Sequence, residues 1–267
     1  MDTLAGVSST LLIPLYVRAQ DAMQDNPILG DMKAIDIYYS LREKYDFSIF
    51  KGKKKSYYGI LARATVMDRE AKKFLMKYPN SIVISLGAGL DSRFYRIDQG
   101  KIEWYNVDFP EVIQLRERYF SPHERIHNIG RSLLDSDWVY EVKNKNKPIL
   151  CMSEGVFMYF HIDEILALFR ILQSAFSSYT IHIDLLSKYL VHKENIHDMC
   201  KNMDIPFTWG SQTGKELVEL VPHLKQVDLI SFTPTLLAIG PWYWKLFAPI
   251  MYMMNNRLGI YEYSTKN

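Results

Sequence analysis

Gly87, Ala88 and Gly89 end a short β-branched run at 82–86, and Asp108 stands 21 positions after Gly87, at the end of a second apolar run. Those residue types at that spacing describe a nucleoside-cofactor site at the edge of a parallel sheet. Glycine lets the backbone turn sharply and approach a ligand, and the distal carboxylate can accept hydrogen bonds from both ribose hydroxyls. A dinucleotide fingerprint would carry Gly or Ala at position 92, where the helix must pack closely on the strand. This chain has Ser92, with Asp91 and Arg93 beside it. The Asp91 carboxylate would oppose a pyrophosphate. It would favour the sulfonium and ammonium of S-adenosylmethionine, so these residues point to that cofactor over NAD. The plain structural alternative is a glycine turn that merely joins strand to helix, and the acid at position 108 weighs against it.

The elements that must position these residues follow from the pattern. Apolar, β-rich runs at 82–86, 102–107, 124–129, 148–153, 179–184, 226–231 and 260–263 alternate with helical patterns, which predicts a doubly wound α/β domain. Pro110 and Glu111 suit the first turn of a helix directly after Asp108. Ile162, Ile165, Leu166, Phe169 and Leu172 repeat at helical spacing, predicting an amphipathic helix over 163–176. Helices are also expected at 14–23, 31–41 and 60–77, with Gly59 and Pro79 as the boundaries of the last. Residues 1–80 then form a helical cap over the carboxyl ends of the strands. Residues 81–185 form the cofactor-binding core. Residues 186–224, broken by Pro206, Gly210, Gly214 and Pro222, form an insertion between strands five and six that serves as a substrate lid. Residues 225–267 hold the last strands and an aromatic segment.

Several ordered motifs resemble the leucine carboxyl methyltransferase family, which includes the tetracenomycin-type polyketide O-methyltransferases. Leu86-Gly87-Ala88-Gly89-Leu90-Asp91-Ser92-Arg93 followed by Arg96 is similar to its first motif. Arg63-Ala64-Thr65 with Asp68 resembles its upstream arginine segment. Val107-Asp108-Phe109-Pro110-Glu111-Val112 resembles its second motif, and Ser153-Glu154-Gly155-Val156-Phe157-Met158-Tyr159 resembles a later one. Gly6-Val7 through Thr10-Leu11-Leu12, Pro14-Leu15 and Arg18-Ala19 resembles the N-terminal segment of the bacterial small-molecule branch. The likeness covers roughly residues 5–190. It implies a Rossmann-like class I methyltransferase sheet of seven strands and an S-adenosyl-L-methionine-dependent O-methyltransferase.

The resemblance also implies site residues. Gly87, Ala88 and Gly89 floor the methionine moiety, Asp108 with Phe109 holds the ribose, and Arg63 pairs with the cofactor carboxylate. Glu154 meets the ammonium or orients the substrate. Asp91 and Arg96 brace the glycine turn. The family commonly has Asp-Leu near the adenine, whereas this chain has Ser132-Leu133, followed by Asp135 and Trp138. Either Ser132 makes a weaker contact or Asp135 takes the role.

The acceptor is a small-molecule carboxylate or hydroxyl. A carboxylate needs no general base near neutral pH, while a phenol benefits from one. Tyr159, His161, His182 and Asp184 lie near predicted strand ends, but no catalytic residue is assigned. His182 reads more readily as a packing histidine on its strand. Two other readings keep the same cofactor site: methylation of a protein C-terminal carboxylate, which needs an open groove, and a non-catalytic S-adenosylmethionine-binding protein.

Composition narrows the setting. A formal charge of +2 over 267 residues gives no strong pull toward nucleic acid or an anionic membrane. The basic run at 51–55 reads as a solvated loop. Cys151 and Cys200 are too few for a disulfide framework and suit a reducing cytoplasm, with Cys151 expected as a buried thiol. His192 and His197 lack further ligands, so no metal is expected. The window 235–254 has Lys245 as its one charge. Pro241 and Pro249 interrupt it, and its aromatics sit centrally, so it is expected as an internal helical segment covering the core or cavity, not a membrane span. The alternative is a membrane-surface or partner contact, a homodimer interface included.

Overall fold

The computed structural model describes residues 10–193, 198–199 and 206–265. Gly6, Val7, His197 and Cys200 therefore lie outside the described residues, and with them the first part of the N-terminal motif. The chain begins with α1 (Leu12–Ala22), α2 (Met32–Leu41) and α3 (Lys54–Lys77). It continues through β1 (Ile82–Leu86), α4 (Arg93–Ile97), β2 (Glu103–Asp108), α5 (Pro110–Tyr119), β3 (Ile126–Gly130), α6 (Trp138–Glu141) and β4 (Ile149–Ser153). Then come α7 (Ile162–Ala175), β5 (Ser178–Leu185), α8 (Lys215–Leu220), β6 (Leu224–Ser231), α9 (Thr233–Ile239), α10 (Ala248–Met254) and β7 (Arg257–Ser264).

These strands make one sheet in the order β3-β2-β1-β4-β5-β7-β6. The first five run parallel, and β7 is inserted antiparallel between β5 and β6. The expected α/β sheet is the one found, with the insertion between β5 and β6. Alternation along the strands sorts side chains to two faces. Ile82, Ile84 and Leu86 join Ile149, Cys151, Ile165 and Leu168 on one side. Val83 joins Leu150, Met152, Met67, Ala71 and Leu75 on the other. Cys151 is fully buried, and burial pushes its thiol pKa well up, so it behaves as a small apolar filler.

α3 links the layers. Its first half sends Ile60 and Leu61 into a third cluster with Leu15, Val17, Ile37 and Leu41, while its second half packs on the sheet. The helix starts at Lys54, ahead of the expected position 60, and runs through Gly59. Glycine inside a helix costs about 1 kcal/mol, and the burial of Ser56, Ile60 and Leu61 against the cap offsets it. Lys54 and Lys55 are thus helical rather than part of a loop.

The aromatic window departs most from expectation. It breaks into α9, a 3-10 segment at Trp242–Phe247 and α10, and no residue of the last two is buried. Pro241 and Pro249 stand at the joints, where they end one helical piece and open the next. Each piece is too short to reach over the sheet, so the segment lies on the surface instead of covering the core.

Candidate active site

A cavity of about 490 Å³ opens at the carboxyl ends of β1, β2 and β4. It sits where strand order reverses between β1 and β4, the position at which open α/β sheets bind ligands. All nine residues expected at the cofactor site are near one another here, and Arg63, Gly87, Ala88, Gly89, Asp108, Phe109, Ser132, Leu133 and Glu154 line the same cavity.

The glycine turn is held from below. The Gly87 and Ala88 amides donate to the Val107 carbonyl at 2.9 and 3.2 Å. Gly87 has φ +70°, and a Cβ there would overlap a Val156 methyl. Gly87→Ala is therefore expected to cost about 2 kcal/mol of stability through backbone strain and crowding. Adding Val156→Ala should restore part of that loss in thermal melts, because it removes the crowding and leaves the strain.

Asp108 ends β2, and its carboxylate accepts from Gly89 N at 2.7 Å and Phe109 N at 2.8 Å. Burial raises its pKa, with the two amides and Arg116 working in the opposite direction. Each oxygen has used one acceptor site on these amides, and a carboxylate offers about four. Asp108 lines the cavity with the remainder unused, a geometry that suits a vicinal diol.

Arg63 reaches the wall from α3. Its Nε donates to Glu154 at 3.0 Å and its Nη1 to Asp184 at 2.8 Å. Among the described residues its Nη2 group has no acceptor. Burial works against its charge, but Glu154 and Asp184 more than compensate and its pKa is raised. Asp184, which sequence reading left without a role, also accepts the Gly155 amide at 3.1 Å. Glu154 takes a second guanidinium, Arg93, at 2.5 Å. Burial would raise the Glu154 pKa, yet Arg63 and Arg93 hold it below the usual value.

Behind the wall lies a network of arginines and carboxylates. Arg93 bridges Asp68, Asp91 and Glu154. Arg96 joins Asp68 at 2.8 Å and Asp31 at 2.6 Å. Asp31 caps α2 through the Ala34 amide and also accepts from Arg18 and the Ser92 hydroxyl. Arg18 donates to the Leu90 carbonyl at 2.8 Å, and Arg116 donates to the Gly89 and Asp91 carbonyls. The cap is thereby tied to the glycine turn by charge-assisted bonds. Burial opposes the Asp91 charge, but Arg93, Arg96, Arg18 and Arg116 together draw its pKa down to about 2. Asp31 and Arg116 carried no sequence signal, and Asp184 none beyond its place near a strand end: each meets its partners only through the fold.

At the far end, Ser132, Leu133 and Leu134 line the cavity. Asp135 turns instead to Arg131 at 2.9 Å and is not among the lining residues, so Ser132 stands where a polar contact can be made. His182 is buried in β5, and burial lowers its pKa to about 4, so it is a neutral packing residue. His161 is the N-cap of α7. No cluster of three or more potential metal ligands occurs among the described residues.

The lining is chemically compatible with a nucleoside bearing an amino-acid tail: a carboxylate at Asp108, close backbone at Gly87 to Gly89, and an arginine and a glutamate at one side. Comparison with known proteins gives the family and the cofactor class. The leucine carboxyl methyltransferase profile matches residues 29–173. The tetracenomycin polyketide synthesis O-methyltransferase TcmP of Streptomyces glaucescens is 31% identical over 83% of this chain and 82% of its own length. The S-adenosyl-L-methionine-dependent methyltransferase dpfgK of Gibberella zeae is 27% identical over 91% of this chain and 88% of its own. Among solved structures, a duf574 family protein from Streptomyces avermitilis shares the fold with TM-score 0.56 and 11% identity, over 94% of this chain and 96% of that one. A methyltransferase from Anabaena variabilis shares it with TM-score 0.51 and 11% identity, over 75% and 84%. The chain belongs to the leucine carboxyl methyltransferase family and is an S-adenosyl-L-methionine-dependent methyltransferase.

Proposed function

We propose that the protein transfers the methyl group to an oxygen of a small molecule, and that this oxygen belongs to a carboxylate. The observation that carries this reading is the state of the cavity wall. Each of its carboxylates already has an N–H partner: Asp91 and Glu154 with Arg93, Asp108 with Gly89, and Glu164 with the His161 amide. No histidine or lysine is among the described lining residues. A phenol acceptor would need a base to remove its proton, whereas a carboxylate is already anionic near neutral pH.

In this reading Asp108 and Phe109 hold the ribose, Gly87, Ala88 and Gly89 the methionine chain, and Ser132 with Leu133 the adenine. Arg63 takes the cofactor carboxylate through Nη2, with Glu154 beside the ammonium. The cofactor supplies an activated methyl on a sulfonium. The protein aligns the acceptor with it and excludes water. Leu11, Ile13 and Ile60 from the cap, with Leu190 and Phe207 from the 186–224 insertion, supply apolar wall. A wall drawn from both cap and insertion favours an apolar small molecule over a protein tail, which would need an open groove.

Matched pairs of aromatic acids and phenols test the reading. Turnover is expected on the acids, with kcat nearly flat from about pH 6 to 9, because the acceptor needs no deprotonation above its carboxylate pKa. Turnover confined to phenols and rising steeply with pH would contradict it.

A further inference from the structure

An apolar face with a basic border lies outside the cavity. Trp242, Tyr243, Leu246, Phe247, Ile250 and Met253 expose between 45% and 74% of their surface. They lie together on the Trp242–Phe247 turn and α10, short elements that bury none of their own residues. Six exposed apolar side chains within twelve positions are the composition of an interaction site. The segment is held in position by polar ties. Thr233 Oγ1 donates to the Met251 carbonyl at 3.3 Å, Arg257 Nη2 donates to the Tyr252 carbonyl at 2.7 Å, and the Gln212 amide donates to the Met253 carbonyl. The face is thus presented by a fixed backbone although its side chains gain nothing from water.

The border of the face is positive. Trp244 packs edge-on against Tyr58 of α3, with ring centroids 5.6 Å apart. Lys54 and Lys55 precede Tyr58 by four and three positions, so they share its side of the helix. Both are exposed, as are Lys51 and Lys245. No Asp or Glu occurs between Asp228 and Glu262. Asp198, from the 186–224 insertion, is engaged by the amide and hydroxyl of Ser56 near the start of α3.

We propose that this face docks on an anionic lipid surface. Tryptophan and tyrosine settle at headgroup depth, the aliphatic side chains enter the acyl boundary, and the lysines meet the anionic headgroups. A second copy of the chain fits less well. A two-fold contact would bury the same lysine-bordered patch of both copies, and residues 229–261 supply no carboxylate to pair with those lysines. The docking is peripheral, since no helix among the described residues is long and apolar enough to cross a membrane. It also sets the cavity beside the lipid: α3 carries Ile60 and Arg63 into the cavity wall, and Asn256, just beyond α10, lines it too.

Sedimentation of the whole chain with vesicles tests this. Vesicles of phosphatidylcholine mixed equally with phosphatidylglycerol should bind the protein, shift its tryptophan emission to the blue, and release it at high salt. Phosphatidylcholine alone should bind it weakly. Leu246→Ser/Phe247→Ser and, separately, Lys54→Gln/Lys55→Gln should each lower the partition coefficient about tenfold or more with an unchanged thermal midpoint. The proposal is overturned if the wild type ignores the anionic vesicles, if it binds neutral vesicles equally, or if both variants bind as the wild type does. It is also overturned if sedimentation velocity finds a dimer that Leu246→Ser/Phe247→Ser dissolves and no vesicle binding.

Discussion

Arg93→Ala should lower the free energy of unfolding by about 3–5 kcal/mol, the cost of removing one partner from a buried ionic cluster. Arg93 is 2% exposed and neutralises Asp68, Asp91 and Glu154 at once. Its removal leaves Asp68 buried with one guanidinium fewer, and Asp91 and Glu154 with only the partial exposure of the cavity wall to offset the loss. Arg93→Lys should recover only part of the loss, because an ammonium cannot reproduce the planar fork that serves three acceptors. Chemical denaturation measures both. The pH dependence has a defined sign. Asp91 titrates near 2 in the folded protein, below its usual value of 3.8. Its contribution to stability is therefore complete above about pH 4. It is lost as pH falls through 2. In Arg93→Ala the folded pKa of Asp91 rises toward the unfolded value, so that acid-dependent contribution should shrink. A loss below about 1 kcal/mol would mean that the network is not a structural support.

Asp108→Ala should weaken S-adenosylhomocysteine binding at least about 100-fold while leaving the cooperative unfolding transition in place. Two hydrogen bonds from ribose hydroxyls to a half-buried carboxylate contribute about 1.5–3 kcal/mol each. The variant also frees the Gly89 amide that now donates to Asp108 at 2.7 Å, so part of the loss comes from a loosened turn. Asp108→Asn separates the two effects. Its amide oxygen can still accept from Gly89 but carries no charge, and an intermediate loss of about tenfold is expected. Because burial raises the Asp108 pKa, wild-type affinity should fall in acid earlier than an ordinary aspartate would dictate, and the Asn variant should lack that dependence. Unchanged affinity in calorimetric titration would remove Asp108 from the site.

The parts of this molecule that were legible in its sequence are those whose physics is local. Buried parallel strands are continuous apolar runs, so the residues from Ile82 to Leu86 announce β1 without reference to anything else. The Gly87 turn, the acid at the end of β2 and Pro110 at the next helix start were readable because backbone freedom, spacing and a missing N–H are chain-level properties. Other features depend on distant partners. Asp31 meets Arg96 across 65 positions and Arg63 meets Asp184 across 121, and neither pairing leaves a trace in local pattern. Gly59 looks like a helix boundary until the cap that holds α3 straight through it is known. The aromatic segment was misjudged for a related reason. Its hydrophobicity argued for burial, but Pro241 and Pro249 divide it into pieces that cannot cover the sheet.

This also changes how Arg63 should be tested. If Arg63 did no more than pair with the cofactor carboxylate, as the family resemblance implies, Arg63→Ala would be a clean probe of that contact. In the folded protein that change strands Glu154 and Asp184, so a loss of affinity could arise from a disturbed wall. Arg63→Lys keeps the charge, and comparing S-adenosylhomocysteine with adenosine under that variant isolates the contact to the amino-acid tail.

The measurement that tests the account most directly follows radiolabelled methyl from S-adenosyl-L-methionine into small aromatic and aliphatic carboxylic acids, then treats the product with mild alkali. Carboxylate transfer predicts label in the organic product that alkali releases as volatile methanol, since esters hydrolyse and ethers do not. Label that stays in the product after alkali, or that enters only phenols, would contradict it.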